Sequence, residues 1–227
     1  MSYSLIIPIY NEERVIPILF DKINKIKNRI EIIIIDDGSD DKTNELLMNN
    51  NDVIIIRNEI NQGKGNAIKK GISKAKNKNV ILIDGDLEVE LNDIPMLIKK
   101  YEENNYSPLV GIRWNRDFNY QNLNLHTVGN YFINWIFNIL YKSNFSDVLC
   151  CLKILDKNLI KSFSLKSNGF SIETEIMAKL VLANLEVREQ RIKYSRRTVK
   201  EGKKLKLSDT WSIIWTLLKI KISDIIA

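Results

Sequence analysis

Only two of the 227 residues are cysteine, and they are neighbours, Cys150 and Cys151. Adjacent cysteines rarely bridge, and no CxxC spacing occurs, so neither a disulfide framework nor a thiolate metal site is expected. A reducing, cytosolic compartment is expected instead. No uninterrupted apolar stretch approaches the roughly 18 residues needed to span a bilayer. Met1 leads directly into a strand-like segment without a basic leader, so no signal peptide is expected. The phosphate-binding pattern GxxxxGK[ST] is absent, which excludes a P-loop enzyme. There is no internal repeat, low-complexity segment or Pro/Gly linker, so one compact unit with two functional halves is expected.

What remains is an ordinary globular composition: 44% hydrophobic and 27% charged residues, with a net charge of +6. Basicity of this size fits anionic partners such as nucleotides, phospholipid headgroups or nucleic acid. The interleaved aromatics and basic stripe of a nucleic-acid-binding module are missing, so nucleic acid is not expected. "YSLIIPIY" (3–10) reads as a strand ending at Pro8. The segment 11–28 reads as a helix capped by Asn11, with Val15, Ile16, Leu19, Ile23 and Ile26 at helical spacing. "EIIIIDDGSDD" (31–41) is an unbroken apolar run stopped by acids, the pattern of a strand buried on both faces of a parallel sheet. Further strands are read at 52–58 and 79–86, and helices from "TNELLMNN" and "QGKGNAIKKGISKAKN". Four alternations of strand and helix predict α/β layers around a mainly parallel sheet. Downstream, strands are read at 109–114 and 186–194, and helices at 130–141, 170–184 and in the final segment from Leu207. Asn134 and Asn138 share one face of the first of these.

In open α/β sheets, ligands bind beyond the carboxyl ends of the strands. Four polar clusters fall there: "PIYNEE", "DDGSDD", "NQGKGNA" and "DGD". Each alone resembles an ordinary turn or helix cap. Together, at successive strand ends, they describe a site. Asp84 and Asp86 place two like charges together at the end of an apolar run. Hard carboxylate oxygens suit Mg²⁺ or Mn²⁺, and a cation between them relieves their repulsion. "DGDLE" lacks the Thr or Val of the phosphatase DxDx[TV] pattern, which argues against phosphoryl transfer to an aspartate.

The segments "IPIYNEE", "IIIIDDGSDD", "NQGKGNAI" and "IDGDLE" resemble the nucleotide-sugar half of family-2 glycosyltransferases of GT-A fold. "GIR", "HTVGN", "SDVLCCLK", "GFSIETEIMAKL" and "YSRRTVKEGKK" are similar to the branch containing dolichyl-phosphate mannosyltransferase and bacterial polyprenyl-phosphate glycosyltransferases. The resemblance implies a nucleotide-sugar half at 1–107, an acceptor half at 108–206 and an amphipathic C-terminal helix at 207–227. Pro8, Tyr10 and Glu12 are then expected to line the base and ribose pocket, with Asp37 helping to read the base. Lys64 is expected to meet a phosphate, with Gly63 and Gly65 permitting close backbone approach. Asp84, Asp86 and, more peripherally, Glu88 are the expected metal neighbours. Arg113, Arg197, Lys203 and Lys204 are expected to form an anion clamp. His126 matches a histidine that precedes "VGN" in this branch. Arg191 and Arg196 depart from the family pattern, standing where relatives usually carry Pro and Gly.

The implied reaction is metal-dependent, inverting transfer from a UDP- or GDP-linked sugar. A polyprenyl phosphate acceptor is already anionic and needs no base. A sugar-hydroxyl acceptor needs a carboxylate to take its proton, and Asp147, Glu173 and Glu175 are the candidates. Asp86, Arg113 and Asp147 are the expected catalytic side chains. Trp211, Ile214, Trp215, Leu218, Ile222 and Ile225 recur at helical spacing in the last segment and form an apolar face. Interrupted by Asp209, Lys219, Lys221 and Asp224, that helix is expected to lie on a membrane and not cross it. The expected location is therefore the inner face of a membrane, with packing on protein or homo-oligomer contact as the other use of this helix.

Overall fold

The computed structural model describes residues 3–27, 30–50, 52–114, 125–197 and 207–226. The first half alternates β1 (Tyr3–Ile9), α1 (Ile16–Ile26), β2 (Ile30–Asp36), α2 (Thr43–Met48), β3 (Ile54–Arg57), α3 (Lys64–Lys74) and β4 (Asn79–Leu82). The chain continues with α4 (Ile94–Glu103), β5 (Leu109–Ile112), α5 (Leu125–Tyr141), β6 (Lys153–Asp156), α6 (Lys157–Ser162), α7 (Ile172–Leu182), β7 (Arg188–Arg191) and α8 (Leu207–Ile226). The seven strands form one sheet in the order β3-β2-β1-β4-β6-β5-β7. β1 pairs in parallel with β2 and β4, β2 with β3, and β5 with β7, whereas β6 runs antiparallel to both β4 and β5. The two halves of the chain therefore share one mainly parallel sheet.

The apolar run of β2 divides between two cores, because successive side chains point to opposite faces. Ile32 and Ile34 join Leu5, Ile7 and the apolar stripes of α1 and α4 on one face. Ile33 and Ile35 join Ile6 and residues of α3, α5, α7 and α8 on the other. Pro8 is tolerated inside β1 because β4 pairs only as far as Ile6 on that side, while β2 continues alongside to Asp36.

Three local expectations change. Asn11 does not cap a helix: its φ is 50°. Its side-chain amide nitrogen donates to Asp40 Oδ1 at 2.6 Å and its Oδ1 accepts from the Asp40 N–H at 3.0 Å, tying the β1 and β2 ends together. α1 starts at Ile16, with Val15 before it and Pro17 in its first turn. The strand β6 and helices α4 and α6 were not legible as such. β6 is four residues long with a lysine and an aspartate at its ends, so it has no apolar run to show.

The faces of α5 differ in use. Ile133, Phe137 and Tyr141 are buried in the core, whereas Trp135 is 60% exposed. Phe137→Ala is expected to lower stability by about 3–5 kcal/mol, as cavity-forming changes do. Trp135→Ala, two residues away, should change it by less than about 0.5 kcal/mol. Urea unfolding of the two variants checks the assignment of faces.

Candidate active site

The carboxyl ends of β1, β2 and β4 open into a cleft of about 670 Å³. Pro8, Tyr10, Glu12, Asp37 and Lys64 line it from the first half, with Asp84, Asp86 and Glu88. Arg113 and Arg197 line it from the second half. Asp147 does not reach the cleft wall and sits buried behind Arg113. Lys203, Lys204 and the side chain of His126 lie outside the described residues.

Asp37 is committed to its own chain. Its carboxylate accepts from the backbone N–H groups of Gln62 (2.9 Å) and Gly63 (2.8 Å) and from the Asn58 amide (2.6 Å). This fixes the loop that opens α3. Gly63 has φ +94°, and a Cβ there would stand 2.4 Å from the Asn168 carbonyl oxygen. A Cβ on Gly65 would stand equally close, 2.4 Å, to the Ser167 oxygen. The close approach those glycines permit is thus to the chain's own 167–169 segment. Glu175 holds that segment by accepting from the N–H groups of Lys166 (2.8 Å) and Ser167 (2.7 Å). Asp36 is structural, accepting from the Ser39 N–H at 2.9 Å.

Lys64, thus placed, sits 2.8 Å from the Asp84 carboxylate and 2.8 Å from Glu173. Glu173 also pairs with Lys153, which is fully buried in β6. Burial alone would lower the Lys64 ammonium, but Asp84 and Glu173 hold it well above its ordinary range. Burial would raise Glu173, yet Lys153 and Lys64 hold it below the usual carboxylate range. Among the described residues Asp86 has no such ion-pair partner: burial, then the like charges of Asp84 and Glu88, push it up to about 7. The donor set therefore fits a hard divalent cation. Among the described residues no three Asp, Glu, His or Cys converge as a closed metal site. Mg²⁺ and Mn²⁺ are commonly held by one or two carboxylates with phosphate oxygens completing the shell, so the two aspartates suffice.

Glu88 is spoken for. It accepts from the Tyr194 hydroxyl at 2.7 Å and from the Arg197 N–H at 2.9 Å. With the Val89–Tyr194 bridge, this pins residues 194–197 beside the aspartates. Arg197 then reaches Glu12 at 2.8 Å. Arg113 makes a two-point pair with Asp147, at 2.8 and 2.9 Å, and lies against the rings of Trp114 (4.3 Å) and Tyr194 (5.4 Å). The loop carrying Asp147 hangs from α5: the amides of Asn134 and Asn138 both donate to the Phe145 carbonyl, at 2.7 and 2.9 Å. Asn130, Phe170, Tyr194 and Ile213 also line the cleft. The first three lie in motifs legible in the sequence, but only packing shows that they face the site.

The family profile for glycosyl transferase family 2 matches residues 4–162. The chain belongs to that family. It is a glycosyltransferase. An uncharacterised protein of Methanocaldococcus jannaschii is 31% identical over 82% of this chain and 84% of its own. The dodecaprenyl-phosphate galacturonate synthase of Rhizobium johnstonii is 27% identical over 73% of this chain, which spans 51% of that protein. Among solved structures, glucosyl-3-phosphoglycerate synthase from Mycobacterium tuberculosis, in complex with Mn²⁺, UDP and phosphoglyceric acid, superposes with a TM-score of 0.75. It is 17% identical, covering 97% of this chain and 78% of its own, and shows the shared GT-A fold.

In this glycosyltransferase the Arg113–Asp147 pair is buried, so removing one charge strands the other. Asp147→Asn is expected to cost about 3–5 kcal/mol of stability. Urea unfolding measures it, and a loss below about 1 kcal/mol would show that Arg113 finds its compensation elsewhere.

Proposed function

We propose that the chain transfers a sugar from a nucleoside-diphosphate sugar to a polyprenyl phosphate, with inversion and with a divalent cation at Asp84 and Asp86. The observation that carries the acceptor class is the state of the three candidate bases. Asp147 is bound to Arg113, Glu173 to Lys64 and Lys153, and Glu175 to two backbone N–H groups. A hydroxyl acceptor needs a carboxylate ready to take a proton, whereas a phosphate is already a nucleophilic anion. The named activities of two relatives point the same way. One is the Rhizobium galacturonate synthase, and the other is the undecaprenyl-phosphate 4-deoxy-4-formamido-L-arabinose transferase of Pectobacterium atrosepticum, 29% identical over 51% of this chain. The Mn²⁺ and UDP of the mycobacterial enzyme support the cation and a nucleotide donor.

In this reading residues 1–107 hold the donor and 108–206 the acceptor. Pro8, Tyr10 and Glu12 line the base and ribose end, and Asp37 shapes it through the 58–63 loop. The cation, when bound, neutralises the departing diphosphate. Lys64 and Arg197 add positive charge along the diphosphate, and Arg113, stiffened by Asp147 and two rings, faces the incoming phosphate. Glu88 positions Arg197. With purified full-length chain, a panel of UDP- and GDP-sugars and polyprenyl phosphate, product is expected with Mg²⁺ or Mn²⁺. EDTA should abolish it, and Asp86→Ala should lose it while keeping its circular dichroism and unfolding midpoint. Transfer to a free sugar hydroxyl with polyprenyl phosphate ignored would establish the other acceptor class.

We further propose that the chain docks on the membrane that carries its acceptor, at the inner, cytosolic face. No helix among the described residues is long and apolar enough to cross a membrane. α8 instead divides its surface: Ile213 and Leu217 are buried, while Trp211, Trp215, Ile222 and Ile225 are exposed. α5, joined to it by the Tyr141 hydroxyl donating to the Leu217 carbonyl at 2.8 Å, carries a second outward stripe of Val128, Phe132, Trp135 and Ile139. Both helices also reach the cleft, through Asn130 and Ile213. Tryptophan favours the headgroup boundary, and Lys219 and Lys221 can meet anionic lipid at about 1 kcal/mol each. Wild-type protein should float with anionic vesicles at low salt, and Trp135→Glu/Trp215→Glu should remain at the bottom of the gradient. Equal flotation of both would remove these stripes from membrane docking. Surface substitutions are the proper test because deleting α8 would uncover Phe137 and Tyr141.

A further inference from the structure

The Asp84 carboxylate, one of the two proposed cation ligands, already has a cation on it. Lys64 Nζ donates to it at 2.8 Å from a side chain only 12% exposed. The same ammonium stands 2.8 Å from Glu173 Oε1. That oxygen is buried, and it has no hydrogen bond of acceptable angle. The other Glu173 oxygen is taken by Lys153. Lys64 therefore has two seats within one side chain's reach, a hydrogen bond to Asp84 and an ion pair with Glu173 at the same 2.8 Å. The backbone beneath it is clamped by Asp37 and by the 167–169 segment, so only the side chain is free to change seats.

We propose that Lys64 is a built-in counter-ion that makes cation binding depend on the nucleotide. Without donor, Lys64 occupies Asp84, and its positive charge opposes a divalent ion a few ångströms away. When a nucleoside diphosphate enters, its phosphate oxygens add ligands and negative charge. Asp84 then turns to the metal, and Lys64 rotates its N–H onto Glu173 Oε1 and towards the diphosphate. No bond is made or broken beyond hydrogen bonds and coordination. Coupling of this kind is reciprocal, so cation and nucleotide each tighten the other. Glu173 acts here as a positioning residue that keeps the displaced lysine in the site. This inference rests on the reading of Asp84 and Asp86 as the cation site.

The test is Mn²⁺ binding to the full-length protein, followed by the paramagnetic resonance of free Mn²⁺, with and without UDP or GDP. Wild type should bind Mn²⁺ weakly alone and much more tightly with the nucleotide it prefers. Lys64→Met should raise nucleotide-free Mn²⁺ affinity by about tenfold or more, the effect of removing one close cation, and should shrink the nucleotide-induced gain. Lys64→Gln, which keeps an amide to donate to Glu173, should do the same if the methionine variant folds poorly. Lys64→Arg, which keeps the charge, should stay near wild type. Unchanged or weaker nucleotide-free affinity in both neutral variants, with Asp84→Asn losing Mn²⁺, would overturn the role of the lysine and leave the cation site standing. Full Mn²⁺ binding by Asp84→Asn in the presence of nucleotide would overturn both.

Discussion

Glu173 opens α7 buried, between two lysines that come from different halves of the chain. Lys153 reaches it from inside the sheet on β6, and Lys64 reaches it from the first turn of α3. A buried charge is costly unless paired, and a buried pair is stable only if every member is compensated. The alternation Lys153, Glu173, Lys64, Asp84 meets that condition as a chain of opposite charges running from the core to the cleft. It also joins the two halves of the polypeptide, since Lys64 and Asp84 belong to the first and Lys153 and Glu173 to the second. The cleft exists in its observed shape because this line of charge is satisfied only when α3, β4, β6 and α7 are all in place.

The same economy governs the other polar side chains around the site. Asp37, Glu175 and Glu88 each accept two or more hydrogen bonds from segments that have no regular structure of their own. Such segments would otherwise leave backbone N–H groups without partners. Carboxylates that look like catalytic candidates in a list of residues thus serve as anchors for loops. Asp86 stands apart, raised to about 7 by burial and like charge. A carboxylate left under strain at a strand end, beside others that are neutralised, is the pattern on which the proposed cation site rests.

The far wall of the cleft follows from the neighbouring helices. α5 supports the Asp147 loop with two asparagines on one face, buries Phe137 on another, and exposes Trp135 on a third. α8 buries Ile213 beside the cleft and turns Trp211 and Trp215 outward. Aromatic residues thus gather on the outer surface of the two helices that also reach the cleft.

The strand–helix alternation, the doubly buried β2 and the strand-end clusters were legible in the sequence because they are local: apolar runs, periodicities of two and 3.6, and turn residues at their ends. The aspartates of "DGD" were legible for the same reason, as was the outward face of α8, whose tryptophans recur at helical spacing. β6 was not, because four residues with charged ends carry no periodic signal. Nor was the division of labour among the carboxylates. Glu173 and Glu175 lie two residues apart on one helix, yet one meets two lysines and the other two backbone N–H groups. Asn11 had the composition of a helix cap and became a strut to Asp40. Which partner a polar side chain finds depends on segments more than a hundred residues away, as with Glu88 and Arg197. The sequence by itself determined the family, the layers of the fold and the place of the site along the chain. Only the tertiary structure decided which charges neutralise one another and which are left for a ligand, because electrostatic pairing is a property of distance in space and burial.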